Sequence, residues 1–298
     1  NLQKLNFKLR KIGLSNEFIK TIECINNNYT FNIRGDNRNF KVSNGIFQGS
    51  ALSGYLFICF TNDLLDHIME NNTHIPNLNN VDIAGMTYVD DTVLISQSII
   101  GIKKSVNKME EYCKNWDLKL NINKSKIMIC KKGLKLSNHE NNLLKDLNLK
   151  NNKQIKYLGN YINYKGDWEY QINYAKNNGI NNLSKITRIK RKIPNIKIEM
   201  LNRIYFAVIE SKALYGCEIW GMHDKASIEI NKIRNKYCKL ILNIPVNAAN
   251  IAARLEMGFT DVKIKLMECA LKFILKRSNS NSNKLINKYI RDQIIHTK

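Results

Sequence analysis

Met86-Thr-Tyr-Val-Asp-Asp-Thr-Val-Leu-Ile-Ser96 sets two adjacent carboxylates, Asp90 and Asp91, between two short runs of β-branched and aromatic residues. Met86 to Val89 and Thr92 to Ser96 have strand composition. The stretch therefore predicts a β-hairpin with the acidic pair in its two-residue turn or on the turn's shoulder. Two like charges side by side repel. They either stay solvated and apart, as in any polar turn, or share a counter-ion, for which a divalent oxygen-seeking cation such as Mg²⁺ is the usual candidate. A carboxylate pair at a rigid tip suits two-metal phosphoryl transfer, in which one ion activates the attacking oxygen and the other stabilises the leaving one.

Charge narrows the class of partner. The 298 residues carry a formal net charge of +22, unevenly spread. Residues 1–100 hold 8 Lys and Arg against 9 Asp and Glu, whereas residues 101–298 hold 39 against 16. Between 51 and 100 there is no Lys or Arg, but six carboxylates: Asp63, Asp66, Glu70, Asp82, Asp90 and Asp91. An acidic segment feeding a strongly basic one suits a metal-dependent enzyme acting on a polyanion, nucleic acid ahead of anionic membrane. Frequent Asn, Ile and Lys read as the product of an A/T-rich genome, which inflates the lysine count. Seven cysteines with no Cys-x-x-Cys pair argue against zinc and against a disulfide framework, and suit a reducing compartment. No apolar run reaches membrane-spanning length and no signal peptide is visible, so an intracellular protein is expected.

Along the chain, residues 4–26 predict two short helices broken at Gly13, the second capped near Ser15. Tyr29 to Ile33 and Phe40 to Val42 flank a Gly-Asp-Asn turn and predict a hairpin. Asn44-Gly-Ile-Phe-Gln-Gly-Ser-Ala-Leu-Ser-Gly-Tyr-Leu-Phe57 opens an apolar helix running to about Met69, with glycines that let backbone approach a ligand. Ile102 to Trp116 has helical spacing, and Leu118 to Cys130 reads as a link and a strand. Ile155 to Ile162 is a further strand ending near a turn at Lys165-Gly166. Helical periodicity then covers 168–192, 197–220 and 226–242. The last of these puts Lys232, Arg234, Lys236 and Lys239 off the apolar stripe as a basic face. Val262 to Arg277 forms a final helix before a Ser/Asn-rich link.

Three motifs in one order, the Gly-x-x-Gln-Gly helix opening, the Tyr-x-Asp-Asp hairpin and the Tyr-Leu-Gly strand, together resemble a reverse transcriptase. Leu214-Tyr-Gly-Cys-Glu-Ile-Trp220 resembles the thumb signature of the non-LTR (LINE-type) retrotransposon family, and Arg254-Leu-Glu-Met-Gly258 the helical stretch beyond it. The resemblance implies an α+β fold: a right-hand palm, with helices packed on an antiparallel sheet, over residues 1–165. A helical thumb over 166–245 and a post-thumb extension over 246–298 follow.

The implied activity is RNA-directed DNA polymerisation, with an RNA template, a DNA primer and deoxynucleoside triphosphates as partners. Asp90 and Asp91 would ligate two Mg²⁺ ions, with Mn²⁺ as the alternative. Lys124, with Lys126 as alternate, would protonate the departing pyrophosphate. Gln48, Gly49 and Tyr88 would contact nucleotide or template. Tyr157, Leu158 and Gly159 would grip the primer, and Lys190, Arg191, Lys232 and Lys236 would track the phosphate backbone. The resemblance also implies an endonuclease elsewhere and a nuclear site of action.

Departures accompany the likeness. The family's first catalytic aspartate lies on a strand that would fall before Asn1, and Asp36, in a predicted turn, is no substitute. The expectation is therefore a polymerase core lacking its first metal-binding carboxylate and inactive by itself. Phe47 stands where the family usually has Arg, and Ala51 and Gly54 where it usually has Pro. A catalytically dead nucleic-acid-binding remnant is the alternative reading, and a maturase-like RNA-binding protein a third.

Overall fold

The computed structural model describes residues 1–27, 30–32, 38–41, 45, 49–78, 80–131, 136–147, 149–279 and 286–290. They form two compact units. The first comprises residues 1–125 and 136–150, and the second comprises 126–135 and 151–298.

In the first unit, helices α1 (Leu2–Lys11) and α2 (Asn16–Asn27) form on either side of the Gly13 break, as the periodicity predicts. Their apolar faces bury Leu5, Leu9, Ile19 and Ile22 against Leu56 and Phe60. Strands β1 (Thr30–Asn32) and β2 (Asn39–Lys41) pair antiparallel. The single helix expected to reach Met69 is instead two, α3 (Ser53–Phe60) and α4 (Leu64–Met69). Thr61, Asn62 and Asp63 break it, because short polar side chains compete with helical backbone bonds. Thr61 Oγ1 bonds back to the Phe57 carbonyl at 3.0 Å. Asp63 stands at the N-cap of α4 without capping it.

The Asp63 carboxylate turns inward to the Lys8 ammonium, and the Tyr112 hydroxyl donates to it at 2.6 Å. Lys8, only 1% exposed, also lies 3.7 Å from the Trp116 ring centroid. Burial disfavours the Asp63 anion, but the bonds from Lys8 and Tyr112 outweigh it and hold the carboxyl below its ordinary 3.8. Burial, reinforced by Asp63, pushes the Tyr112 phenol up. After the short pair β3 (Asn77–Leu78) and β4 (Val81–Asp82) comes the hairpin β5 (Gly85–Tyr88) and β6 (Asp91–Leu94). Helix α5 (Ile99–Asn115) follows, then α6 (Asn138–Asp146). The predicted strand within 118–130 is instead irregular chain with one turn at 122–124 and one isolated bridge, Ile127 to Asn151.

The second unit opens with β7 (Gln154–Tyr157) and β8 (Asn160–Asn163), a hairpin where one strand was expected. Leu158 and Gly159 form its turn, both at positive φ (44° and 88°), the geometry that matches the twist of a two-residue hairpin. Helix α7 (Glu169–Lys192) is followed by α8 (Ile198–Ile204), a π-helical turn Tyr205–Glu210, α9 (Ser211–Ala213) and α10 (Cys217–Trp220). The expected 197–220 helix is thus interrupted twice. The wider π turn brings Tyr205, Ile209 and Glu210 all inward, which 3.6-residue periodicity cannot do.

Helices α11 (Asp224–Leu242), α12 (Asn250–Glu256) and α13 (Val262–Ser278) complete the unit. Its core stacks Tyr205 on Tyr237 at 4.2 Å and buries Trp220 completely. Arg234, expected on a basic surface, is buried. Its Nε and Nη2 donate to the two Glu210 oxygens at 2.9 and 2.7 Å, and its Nη1 donates to the Thr260 carbonyl at 2.7 Å. Among the described residues no helix is long and apolar enough to cross a membrane.

Removing one member of a buried ion pair strands the other. Glu210→Ala therefore costs the second unit about 3–5 kcal/mol, and Arg234→Met with Glu210→Leu recovers most of it, measured by denaturant unfolding. Asp63 contributes stability above its unfolded value and loses it as pH falls through its lowered folded value. The stability gap between the wild type and Asp63→Asn is accordingly full at neutral pH and closes below pH 3.8. A gap that widens on acidification would contradict this.

Candidate active site

Alternation along β5 and β6 sorts the hairpin's side chains. Cross-strand pairs Tyr88 with Asp91 and Met86 with Val93 share one face, and Thr87 with Thr92 and Gly85 with Leu94 share the other. Leu94 packs toward the Leu64, Ile68, Ala84 and Tyr112 core, so the Leu94 face looks inward. The opposite face is open. Tyr88 is 61% and Met86 50% exposed, and both Asp90 and Asp91 are solvent-accessible. Asp91 begins β6, while Asp90 shares the two-residue turn with Val89.

Val89 has φ 53°. A β-branched residue in the left-handed region is strained by about 1–3 kcal/mol, which the flanking strands must hold in place. The base of the hairpin supplies that hold. Ile95 N–H donates to the Ala84 carbonyl at 2.8 Å, and Gln97 N–H and Ser96 Oγ both donate to the His74 carbonyl, at 2.9 and 3.1 Å. Ser98 Oγ lies 3.0 Å from His74 Nδ1 and caps α5 by accepting from Gly101 N–H. Asn72 donates to buried Ser105 on α5 at 3.0 Å. A side chain at Gly85 would collide with the Val93 carbonyl oxygen, which keeps that strand position glycine. None of these supports was anticipated, although Ser98 ahead of a helical run is a readable cap signal.

Gly49, at φ 95°, leads toward α3, which opens without a side-chain cap. Gln48, Phe47 and Asp36 lie outside the described residues. Lys124 is exposed on a turn closed by bonds from Lys124 N–H and Ser125 N–H to the Asn121 carbonyl, and its ammonium has no partner among the described residues.

In the second unit, Tyr157, Leu158 and Gly159 form the end of the β7–β8 hairpin, and the Leu214 to Trp220 stretch docks on it. A Cβ at Gly159 would lie 2.7 Å from the Tyr215 ring, and one at Gly216 would lie 2.5 Å from the Asn160 amide. Buried Gln171 clasps the same hairpin, accepting from Tyr161 N–H at 2.9 Å and donating to Asn160 Oδ1 at 3.1 Å. Trp220 Nε1 donates to the Tyr215 carbonyl at 3.2 Å, tying this contact to the core.

The four basic residues separate. Lys190 donates to the Leu240 and Ile241 carbonyls and to Asn243 Oδ1, closing the C-terminus of α11 rather than facing outward. Lys232 bonds Glu229 at 2.5 Å. Arg191 and Lys236 are exposed.

No group of three or more His, Cys, Asp or Glu that could hold a metal ion occurs among the described residues. Asp90 and Asp91 are nonetheless hard oxygen donors of the kind Mg²⁺ takes, one or two carboxylates completed by water and substrate phosphates. The family model for reverse transcriptase (RNA-dependent DNA polymerase) matches residues 1–162, which include the β5–β6 hairpin and all but the last residue of the β7–β8 hairpin. No curated protein matches the chain.

Two glycine exchanges test the hairpin ends with opposite signs. Gly159→Ala destabilises by about 1–3 kcal/mol, through its positive φ and the Tyr215 ring, whereas Val89→Gly is neutral or stabilising because it relieves strain. Denaturant midpoints read both, and a harmless Gly159→Ala would remove the docking contact from the account.

Proposed function

We propose, for a chain that belongs to the reverse transcriptase (RNA-dependent DNA polymerase) family, that it copies RNA into DNA as the polymerase of a non-LTR (LINE-type) retrotransposon. Membership implies a nucleic-acid template and nucleotide substrates. The observation that carries the finer reading is Asp90 and Asp91 on the open face and tip of a strained hairpin inside the matched region. The Leu-Tyr-Gly-Cys-Glu-Ile-Trp stretch at 214–220 supports the LINE-type assignment.

In this reading Asp90 and Asp91 hold the divalent cations, Mg²⁺ or Mn²⁺. When bound, these neutralise the triphosphate and favour ionisation of the primer hydroxyl. The primer's 3′ hydroxyl gives its proton to solvent water, its oxygen bonds the innermost phosphorus of the incoming nucleotide, and the bond from that phosphorus to pyrophosphate breaks. Lys124 gives the pyrophosphate a proton. Tyr88 and Met86, exposed beside Asp91, offer an apolar and aromatic floor for the nucleotide or primer end. Tyr157 to Gly159 set the primer, while Arg191 and Lys236 bind phosphates without reading sequence. Gln48 and Gly49 contact nucleotide or template. Residues 1–165 would serve as palm and 166–245 as thumb, with 246–298 as an extension.

Primer extension on an RNA template with Mg²⁺, by the chain alone and by the chain joined to any segment encoded upstream, tests the reading. Asp91→Ala abolishes extension by several orders of magnitude, while affinity for an RNA–DNA hybrid is kept or rises, because a carboxylate repels phosphate. Extension that survives Asp91→Ala would remove the two-metal assignment. Hybrid binding with no extension by the wild type, alone or joined to any segment encoded upstream, would favour the non-catalytic remnant.

A further inference from the structure

Helix α13 has two apolar faces. Val262, Leu266 and Ala270 are 0%, 1% and 4% exposed and anchor it to the core of its unit. At 100° per residue, Ile264, Met267, Leu271, Ile274 and Leu275 fall on the opposite side. They are 61%, 40%, 55%, 39% and 58% exposed, and nothing among the described residues covers them. A helix with one buried face ordinarily puts polar residues on the other. Five large aliphatic side chains in a continuous row over about 17 Å mark a surface built for contact.

Pattern and charge together define the occupant. Ile264, Met267, Leu271 and Ile274 recur at three- and four-residue steps, the spacing of a seam that receives the knobs of another helix. The helix also carries Lys263, Lys265, Lys272, Lys276 and Arg277, but a single acid, Glu268. That acid is already bridged by Lys265 at 3.1 Å and Lys272 at 2.5 Å. A second copy of α13 would bring the same cations against these. A bilayer-lying helix would present aromatic anchors, yet the one aromatic of α13, Phe273, is off the row. Nucleic acid has no use for five aliphatic groups.

We infer that the outer row of α13 docks an amphipathic α-helix of another protein, whose apolar seam is flanked by Asp and Glu. This surface is independent of the polymerase reading. The cationic flanks steer the partner and the aliphatic row supplies the affinity.

The test uses the whole chain and dye-labelled synthetic helices of about three heptads sharing one Leu/Ile seam, flanked by Glu in one peptide and Lys in the other. A scrambled Glu peptide of identical composition controls for general attraction to a basic protein. Fluorescence anisotropy should show the Glu-flanked peptide binding at least about tenfold more tightly than either other peptide. Leu271→Glu with Leu275→Glu, both exposed and without core contacts to lose, should remove that preference while circular dichroism stays unchanged. Lys272→Glu with Lys276→Glu should shift it toward the Lys-flanked peptide. Equal binding of the scrambled peptide would overturn the inference. So would self-association abolished by the Leu271/Leu275 pair, which identifies a second copy, or phosphatidylserine-vesicle binding abolished by it, which identifies a membrane.

Discussion

Every β-sheet among the described residues has only two strands. A two-stranded ribbon of four residues a side is marginal in water, because it buries little and its outer backbone groups remain with solvent. The hairpins that bear the Tyr-x-Asp-Asp and Tyr-Leu-Gly sequences therefore owe their shape to what holds them. For the first, the support is a polar cluster at its base: the His74 carbonyl takes two bonds, and Ser98 and Ser105 fasten the segment to α5. For the second, it is the side of a helical unit, with Gln171 clasping one strand and Tyr215 against the turn. Precision at each tip is thus a property of helix packing. A β-branched residue can stand at φ 53° beside the carboxylates because the ladder below it does not yield.

This dependence explains what the sequence disclosed. Val/Thr/Tyr runs around Asp90 and Asp91 announce a hairpin because strand alternation is local, and helices α1, α2, α5, α7, α11 and α13 are announced by local periodicity in the same way. The local signal for α6 is the capping box of Ser137 and Glu140, a Ser followed three residues later by Glu. The Leu158 turn was hidden because leucine at positive φ contradicts its usual preference, and Gly159 alone read as the end of a strand. The π turn at 205–210 was invisible for a different reason. It is stabilised by a guanidinium 24 residues further on, and no window of sequence contains both halves of that pair.

Charge was the reading most altered by three dimensions. Counting cations treats each as available to a polyanion, but Lys8 is buried against Asp63 and Trp116, Arg234 against Glu210, and Lys190 closes a helix. Lys176 is held by Glu229 at 2.7 Å. The basic surplus of residues 101–298 is large enough to survive these subtractions. Its distribution changes all the same: the cations with open ammonium or guanidinium groups, such as Arg191 and Lys236, are fewer than periodicity suggested.

Three acids that reach across to another element, Asp63, Glu210 and Asp261, share a location that follows from backbone chemistry. Asp63 lies where α3 gives way to α4, Glu210 ends the π turn, and Asp261 caps α13 while accepting from Asn231 at 2.9 Å. Helix interruptions leave backbone groups without partners and force the chain to turn, so a charge placed there can reach across to another element. Burial opposes the Asp261 anion, yet the Lys263 N–H, Asn231 and Arg254 together hold it below its ordinary value, as Lys8 and Tyr112 do for Asp63. Each acid thereby ties a helix end to a particular partner, Asp63 to Lys8 and Tyr112, Glu210 to Arg234 and Asp261 to Asn231, and such directional bonds specify a contact that apolar burial, being non-directional, does not.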